Sequence, residues 1–397
     1  MMNFIYDVPT KVYFGEDAET HIGEALASIG SKKVLVHYGS ERVRKTGLLA
    51  KVTAELDAAG IAWVELGGVE PNPKVGLVRK GVELARQEGV DFLLAVGGGS
   101  VCDSVKGIAM GLTTGKDPWE VVIAGVAPKQ RFPMGAVLTL SAAGSEMSDS
   151  CVLTNEEFEL KRGINGSHNR MTFAFMNPAN TVTVPAWQTA AGTVDIMIHT
   201  MERFLTDEEA TPLTDNIAVG IMRRVIECGA LLRDNPADLN ARADIMWASS
   251  LAHNDLTGCG RHKTFTAHKI EHDFSGLHDN ITHGAGLSVI FPAWVMHEYK
   301  MGPERFAEWA VRIWDAEQGE DLESTIKDGV HRMRAFYKSL GMPVTIEELG
   351  ITPDEYEKLA DMTTAGGTRT LPSFGHALTK EDIIDLYRLA ERKAVEE

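Results

Sequence analysis

The sequence predicts an α/β N-terminal domain followed by an all-helical C-terminal domain. Short β-branched runs alternate with longer helical patterns through the first half of the 397 residues, which is typical of a doubly wound, mainly parallel sheet. After Pro185 these strand-like runs stop, and long amphipathic segments follow one another to the C-terminus. Because a chain of this length is too long for one ordinary core, we expect two domains, at residues 1–183 and 184–397.

Four apolar runs in the first half are predicted to be strands of this sheet. They are Lys33–Tyr38, Ile61–Glu65, Val90–Val96 and Met134–Leu140. Ligands of doubly wound sheets bind at the carboxyl ends of the strands. The residues that the sequence places there are Gly39, Asn72, Gly97 and Thr139. We therefore expect a ligand site at this edge of the sheet.

Composition and charge exclude several classes of protein. Lysine and arginine number 39 against 56 acidic residues, a formal net charge of −17, which disfavours binding to nucleic acid or to an anionic membrane surface. Four cysteines without CxxC spacing, and no basic and apolar leader before Asn3, predict a cytoplasmic protein. No apolar run approaches the length that crosses a bilayer, so no membrane partner is expected.

Two pairs of ligand-type side chains stand four residues apart in the second half. Asp195 and His199 share one face of a predicted helix, and His268 and His272 repeat the spacing. One such pair is more often a surface pair than a metal site, but seven of the 13 histidines fall within residues 253–297. A carboxylate with several imidazoles suits Fe²⁺ or Zn²⁺, whereas Ca²⁺ and Mg²⁺ prefer oxygen ligands. The pattern therefore favours a divalent metal site.

A glycine-rich turn follows the most apolar of the predicted strands. Residues 97–100, Gly-Gly-Gly-Ser, let the backbone approach a phosphate group closely, and amides at the start of the next helix can bind the anion. Ser100 is the predicted N-cap, with Asp103 completing a capping box. The run is not the GxGxxG fingerprint and can also be only a tight turn. A second polar turn, at residues 141–145, follows the next strand, and two such turns favour a nucleotide site.

These residues, with further motifs along the chain, resemble the metal-dependent group III, or iron-containing, alcohol dehydrogenases, and within them the butanol dehydrogenase-like aldehyde reductases. The matching stretches are Pro9–Gly15, Gly68–Pro73, Gly97–Lys106, Leu138–Leu140, Gly144–Met147, Thr189–Asp195, His268–Gly286, Leu340–Pro343 and Glu348–Ile351. The resemblance implies a Rossmann-like nucleotide-binding domain and a helical catalytic domain, an architecture shared with dehydroquinate synthase-like proteins. It implies interconversion of primary alcohols and butanal-like aldehydes with NAD(P)(H), mainly as aldehyde reduction.

The resemblance also implies which residues form the active site. The metal ligands, for Fe²⁺ or Zn²⁺, fall on Asp195, His199, His268 and His283. His272 corresponds to an active-site histidine that does not bind metal, and either it or His278 is expected to pass the proton. Asp103 is expected to take part in catalysis as well as in cofactor binding.

Cofactor contacts are expected at the strand ends and in the turns that follow them. The predicted residues are Gly39, Ser40, Asn72, Gly98, Gly99, Ser100, Asp103, Thr139, Leu140, Ser145 and Lys161. An acid at the end of the first strand would bind the 2′-hydroxyl of NAD and repel a 2′-phosphate, but Gly39 stands there. Three cations follow within residues 42–45, so NADP(H) is preferred over NAD(H). Glu41 opposes this preference, and the cations can also be a solvated helical turn.

Two positions depart from the family pattern, and two other functions compete with the dehydrogenase. Phe265 stands where relatives often have Trp, which is expected to reshape the pocket, and Ala143 stands where Thr is common. A metal-dependent lyase or cyclase of the dehydroquinate synthase type is the alternative, although such relatives favour Glu at the Asp195 position. A nucleotide-binding protein without catalytic activity is a third possibility. The resemblance further implies a small-molecule substrate and a homodimer.

Overall fold

The computed structural model describes residues 1–208 and 211–396, which form two compact units. The sheet unit comprises residues 7–184 and 237–254, and the helical unit comprises residues 1–6, 185–236 and the chain from Asp255 onward. Glu209, Ala210 and Glu397, which the prediction assigned to the helical domain, lie outside the described residues.

Strands and helices are numbered in chain order. The strands are β1 (Lys11–Phe14), β2 (Lys33–Tyr38), β3 (Ala62–Leu66), β4 (Phe92–Gly97), β5 (Met134–Leu138), β6 (Ser150–Asn155), β7 (Leu160–Asn165), β8 (Phe173–Met176), β9 (Leu371–Pro372) and β10 (Ala377–Leu378). The helices are α1 (Ile22–Ser28), α2 (Arg42–Lys45), α3 (Leu48–Ala58), α4 (Val75–Glu88), α5 (Gly99–Thr114), α6 (Pro118–Ala124), α7 (Ala186–Phe204), α8 (Pro212–Asp234), α9 (Leu239–His253), α10 (Thr266–Leu277), α11 (His283–Glu298), α12 (Pro303–Trp314), α13 (Leu322–Ser339), α14 (Tyr356–Thr364), α15 (Lys380–Leu389) and α16 (Arg392–Glu396).

The sheet unit is built on a parallel sheet with the strand order β1-β8-β5-β4-β2-β3. Along the central strand β4, Leu93 and Ala95 pack into the core that includes α4 and α5. The alternate residues Phe92, Leu94 and Val96 pack into the core on the opposite face, with α1 and α3. Burial of both faces explains why the sequence of this strand is apolar without interruption. The predicted doubly wound parallel sheet is confirmed.

The predicted strands agree with β2, β3, β4 and β5 to within two residues at each end. The sequence analysis did not indicate β1 and β8, which have four residues each and carry too short a pattern. It also did not indicate the antiparallel pair of β6 and β7. This pair matters for the site, because β6 packs against α5.

The helical unit contains helix α7 packed against α8 and α11, and α10 packed against α11. The prediction that no strand follows Pro185 is wrong at one place, since β9 and β10 pair antiparallel. Helix α11 is buried along almost its whole length, because nearly every residue in it is apolar or small. Within the described residues, no helix is long and apolar enough to cross a membrane.

Helix α9 packs with the sheet unit, although the prediction placed it in the helical domain. Gly144 has a φ of +57°, and a Cβ at this position would lie 3.0 Å from the carbonyl carbon of Ser249 and overlap its oxygen. Only glycine therefore allows this turn to contact α9. The buried carboxylate of Glu146 accepts a hydrogen bond from the Ser250 hydroxyl. These two contacts explain why one helix from the second half of the sequence belongs to the sheet unit.

His37 links three elements in the interior of the sheet unit. Its Nδ1 donates a hydrogen bond to the carbonyl oxygen of Leu66 at 2.7 Å, and its Nε2 accepts one from the Ser104 hydroxyl at 2.8 Å. Burial lowers the pKa of His37 to about 4. Burial also lowers the pKa of His168, in the same unit, to about 4.

We expect stability to fall as the pH falls from about 6.5 towards 4. Because both folded-state pKa values lie below the ordinary value of 6.5, the unfolded chain binds more protons in this range. Each histidine then destabilises the fold by about 3 kcal/mol at the acid end. His37→Asn should lose the share of this pH dependence that His37 contributes, about 3 kcal/mol in the free energy of unfolding, measured by urea denaturation with a metal chelator present. An unchanged pH dependence would contradict the role of His37.

Candidate functional site

Strands β2, β4 and β5 are adjacent and parallel, so their carboxyl ends lie at the same edge of the sheet. The residues that follow these ends are Gly39, Gly98 and Thr139. The amide of Thr139 donates a hydrogen bond to the carbonyl oxygen of Gly97 at 3.0 Å, which continues the ladder past β5. The structure thus brings the predicted glycine turn and the two neighbouring strand ends together.

Helix α5 begins directly in the glycine turn. Gly98 is its N-cap and the helix starts at Gly99, so the prediction that Ser100 caps the helix is wrong. A Cβ on Gly98 would lie 2.9 Å from the Cβ of Leu140, and one on Gly99 would lie 3.2 Å from the Cβ of Ala143. Glycine at these two positions therefore allows the turn at residues 97–100 to pack closely against residues 140–143. The first amides of the helix remain suited to a phosphate group.

Asp103 braces α5 against β6 and does not complete a capping box. Its Oδ1 accepts a hydrogen bond from the Ser145 hydroxyl at 2.6 Å, and its Oδ2 accepts one from the Val152 amide at 3.0 Å. Lys106 is fully buried and donates to Ser145 Oγ at 2.8 Å and to the Ser150 carbonyl oxygen at 2.6 Å. Burial raises the pKa of Asp103, although Lys106 opposes the rise. This network does not support the predicted catalytic role of Asp103.

The same network limits what Ser145 can offer a cofactor. Its hydroxyl proton is donated to Asp103, so Ser145 has no proton left for a phosphate oxygen.

The other residues whose side chains were predicted to bind the cofactor differ in burial. Lys161 on β7 is only 5% exposed, which excludes an ordinary surface lysine, and Asn72 is buried with a φ of 54°. Ser40 is exposed, and its hydroxyl accepts a hydrogen bond from the Arg42 amide. Cofactor binding by these residues stays a prediction.

Two of the three cations that were predicted to favour NADP(H), Arg42 and Arg44, have protein partners. Arg44 lies 2.6 Å from Glu65 Oε1 and donates a hydrogen bond to the Tyr38 hydroxyl at 2.6 Å. Arg42 donates to the Thr183 hydroxyl at 2.5 Å. The Arg44 charge is therefore largely neutralised by its carboxylate partner.

Four side chains converge within the helical unit. Asp195 Oδ1 lies 3.2 Å from His199 Nδ1, 3.5 Å from His268 Nε2 and 3.7 Å from His283 Nε2. Helix α7 supplies Asp195 and His199 one turn apart, α10 supplies His268 in its first turn, and α11 begins with His283. The structure thus brings all four predicted ligand residues to one point.

The converging residues Asp195 and His268 are buried. Asp195 and His268 are 3% and 5% exposed, and neither Asp195 Oδ1 nor His268 Nε2 has a hydrogen-bond partner. Burial lowers the pKa of His199 well below its ordinary value. Burial acts in the same direction on His268, but the carboxylates of Glu202 and Asp195 outweigh it and raise that pKa to about 9. A buried carboxylate oxygen facing bare imidazole nitrogens fits a divalent cation of the iron or zinc type.

Of the two histidines predicted to pass a proton, the structure brings His272 to this cluster. The His272 ring centroid lies 5.6 Å from that of His283. His278 instead forms an ion pair with Glu355, with His278 Nε2 2.7 Å from Glu355 Oε1. Geometry therefore favours His272 over His278.

Phe265 borders the cluster in a strained conformation. It is the N-cap of α10 with a φ of 51°, which is uncommon for a bulky residue. Its ring centroid lies 5.3 Å from that of His268 and 6.1 Å from that of His199, both edge-on, and the Arg203 guanidinium lies 4.5 Å from the ring centroid. An apolar ring thus adjoins two of the histidines.

Sequence reasoning missed three residues that shape the cluster. His268 Nδ1 donates to the carboxylate of Glu202, and His283 Nδ1 donates to that of Glu271. Gly284 packs on the Ala191 backbone, where no side chain fits. The sequence carries two signals for these residues. They are the repeated His-x-x-Glu spacing and the glycine directly after His283.

A parallel sheet with a glycine turn, and a helical unit with a carboxylate and imidazole cluster, are typical of metal-dependent dehydrogenases that use nicotinamide cofactors. The chain belongs to the iron-containing alcohol dehydrogenase family. The family model "Iron-containing alcohol dehydrogenase" matches residues 9–178, and "Fe-containing alcohol dehydrogenase family, C-terminal" matches residues 189–390. The chain is therefore an oxidoreductase that interconverts alcohols and aldehydes with a nicotinamide cofactor, and the lyase or cyclase alternative finds no support.

Individual relatives match along nearly the whole chain. The chain is 36% identical to NADH-dependent butanol dehydrogenase A of Clostridium acetobutylicum, over 98% of this chain and 99% of the relative. It is 34% identical to the NADPH-dependent aldehyde reductase YqhD of Escherichia coli, over 88% of this chain and 90% of the relative. The crystal structure of NADH-dependent butanol dehydrogenase A from Thermotoga maritima superposes with a TM-score of 0.94 at 34% identity, covering 99% of both chains.

Gly284→Ala should destabilise the helical unit by forcing α11 away from α7. A Cβ at residue 284 would lie 2.6 Å from the carbonyl carbon of Ala191 and closer still to its oxygen, and overpacking against backbone costs about 1–3 kcal/mol or more. Gly220→Ala on α8 is the matched control, because a Cβ there meets nothing within 4 Å and should stabilise the helix by about 0.5–1 kcal/mol. Free energies of unfolding from urea denaturation measure both. Equal values for the two variants would contradict the packing argument.

Proposed function

We propose that this enzyme is a metal-dependent reductase of short- and medium-chain aldehydes such as butanal, and that Asp195, His199, His268 and His283 hold one Fe²⁺ or Zn²⁺ ion. The observation that carries this proposal is the approach of three imidazole nitrogens to a single buried carboxylate oxygen, at 3.2, 3.5 and 3.7 Å. The substrate class is supported by the names of the relatives, a butanol dehydrogenase and an aldehyde reductase. The apolar ring of Phe265 beside the cluster also suits an alkyl substituent.

The chemistry divides between the bound groups and the chain. When bound, the divalent ion supplies Lewis-acid polarisation of the carbonyl oxygen and the reduced nicotinamide supplies the hydride. The chain holds three imidazoles and one carboxylate around one point of the helical unit, so the ligand side chains are already oriented before the reaction. His272 lies beside His283 and is our candidate for the group whose ring N–H passes a proton to the product oxygen.

The proposal is tested with an aldehyde panel, from acetaldehyde to octanal, on protein reconstituted separately with Fe²⁺ and Zn²⁺. We expect steady oxidation of NADPH or NADH, followed by its absorbance, with at least one of the two metals and a maximum among short or medium chains. A protein that contains one metal ion per chain and reduces no aldehyde of the panel would contradict the proposed function.

Replacing one ligand separates the metal site from the rest of the enzyme. His268→Ala and His283→Ala should each lose the metal and the turnover, while NADPH binding, measured by fluorescence, stays within about twofold because the predicted cofactor residues all belong to the sheet unit. His278→Ala is the matched control, since His278 pairs with Glu355, and it should keep the metal. Metal content is measured by plasma emission spectrometry. Full metal occupancy and activity in the His268 or His283 variant would refute the ligand assignment.

We also propose that the enzyme prefers NADP(H), because the position after β2 that would hold an acid in an NAD site is Gly39. Gly39→Asp should raise the KM for NADPH at least tenfold, since a carboxylate there repels a 2′-phosphate, and change the KM for NADH little. Gly39→Asn has the same size without the charge and controls for crowding, because a Cβ at this position would lie 3.2 Å from the Val69 carbonyl oxygen. Equal effects of Asp and Asn on NADPH would contradict the preference.

A homodimer and a cytoplasmic location remain predictions from the resemblance and from the cysteine pattern. Size-exclusion chromatography with light scattering tests the first.

A further inference from the structure

Two ligand histidines each present one nitrogen to the cluster and the other to a buried glutamate. His268 directs Nε2 towards Asp195 and donates its Nδ1 proton to Glu202. His283 directs Nε2 towards Asp195 and donates its Nδ1 proton to Glu271. Because each carboxylate oxygen accepts the Nδ1 hydrogen bond, each glutamate fixes a proton on Nδ1 and leaves Nε2 as the nitrogen that can bind an ion.

The two glutamates occupy equivalent positions on their helices, three residues after a ligand histidine. Glu202 stands one turn after His199 on α7, and Glu271 stands one turn after His268 on α10. Glu202 reaches from α7 to the histidine of α10, and Glu271 reaches from α10 to His283 of α11. Helices α7 and α10 thus each orient an imidazole on the next helix that carries a ligand.

Burial and packing show that the surrounding residues accommodate both carboxylates in defined positions. Glu202 and Glu271 are 1% and 0% exposed, and Glu202 also accepts a hydrogen bond from the Ala267 amide at 2.8 Å. A Cβ on Gly286 would lie 2.6 Å from the Glu271 Cγ, so the first turn of α11 leaves room for this side chain. With Asp195, three buried carboxylates surround three imidazoles, and a divalent cation would offset two of the three negative charges.

We propose that Glu202 and Glu271 are positioning residues of the metal centre, which set the tautomer and the ring orientation of His268 and His283 and thereby raise the affinity for the ion. This inference rests on the proposed metal site and assigns the two carboxylates no contact with the ion or the substrate. The proposal also gives a function to the glutamate that ends each His-x-x-Glu segment, at residues 199–202 and 268–271.

The test measures the dissociation constant of Zn²⁺ by competition with a chromophoric chelator, using the full-length protein. Glu202→Gln and Glu271→Gln should each weaken Zn²⁺ binding about tenfold, and the Ala variants up to about 100-fold, because Gln keeps an acceptor oxygen and Ala does not. Glu298→Gln is the matched control. Glu298 is equally buried and pairs with His297 and His376 instead of a ligand histidine, so its loss should lower the melting temperature and leave the Zn²⁺ affinity within about twofold of the wild type.

The outcomes separate this inference from the proposed function. If His268→Ala loses Zn²⁺ while both Gln variants and both Ala variants bind it as tightly as the wild type, the positioning role is wrong and the metal site stands. If His268→Ala and the wild type bind Zn²⁺ equally, the proposed function itself fails. Two Zn²⁺ ions bound per chain, with the second lost in Glu271→Ala, would make Glu271 a ligand and overturn its positioning role.

Discussion

The close approach of helices α7 and α11 is the constraint on which the rest of the helical unit depends. The backbone of Ala191 occupies the space that any side chain at residue 284 would need, so only glycine permits this distance. The same contact holds His283 beside the turn of α7 that carries Asp195 and His199. Helix α10 packs on α11 and adds His268. Three helices thereby bring four ligand-type side chains together within the helical unit.

In the sheet unit, the predicted cofactor residues are supported by close packing at the glycine turn and by a buried polar network. Its turn contains Gly98 and Gly99 because the side chains of Leu140 and Ala143 pack directly on these two residues. Beneath the turn, Lys106 and Asp103 form a buried polar network that joins α5 to β6. Such a fully hydrogen-bonded network rigidifies its surroundings. The predicted cofactor residues therefore lie beside a rigid part of the sheet unit, whereas the metal-ligand cluster of the helical unit depends on charged side chains.

Much of this organisation could be predicted from the sequence, and the failures have physical causes. Strands β2, β4 and β5 and the parallel sheet were predictable because burial of both faces of these strands leaves apolar runs in the sequence. Spacing indicated Asp195, His199 and His268, since positions one turn apart share a helix face, whereas His283 was indicated only by the family resemblance. The capping box assigned to Ser100 and Asp103 was mistaken, because such a box is a local pattern and cannot reveal partners such as Val152, 49 residues from Asp103. The position of α9 was missed for the same reason: its contacts with Gly144 and Glu146 are made across about 100 residues.

The most direct measurement is anomalous diffraction from crystals of the enzyme, recorded at the iron and zinc absorption edges. One peak per chain is predicted, at about 2.0–2.2 Å from a carboxylate oxygen of Asp195 and from one nitrogen each of His199, His268 and His283. Diffraction that shows a fully loaded metal elsewhere in the chain, with these four side chains free of it, would contradict the account.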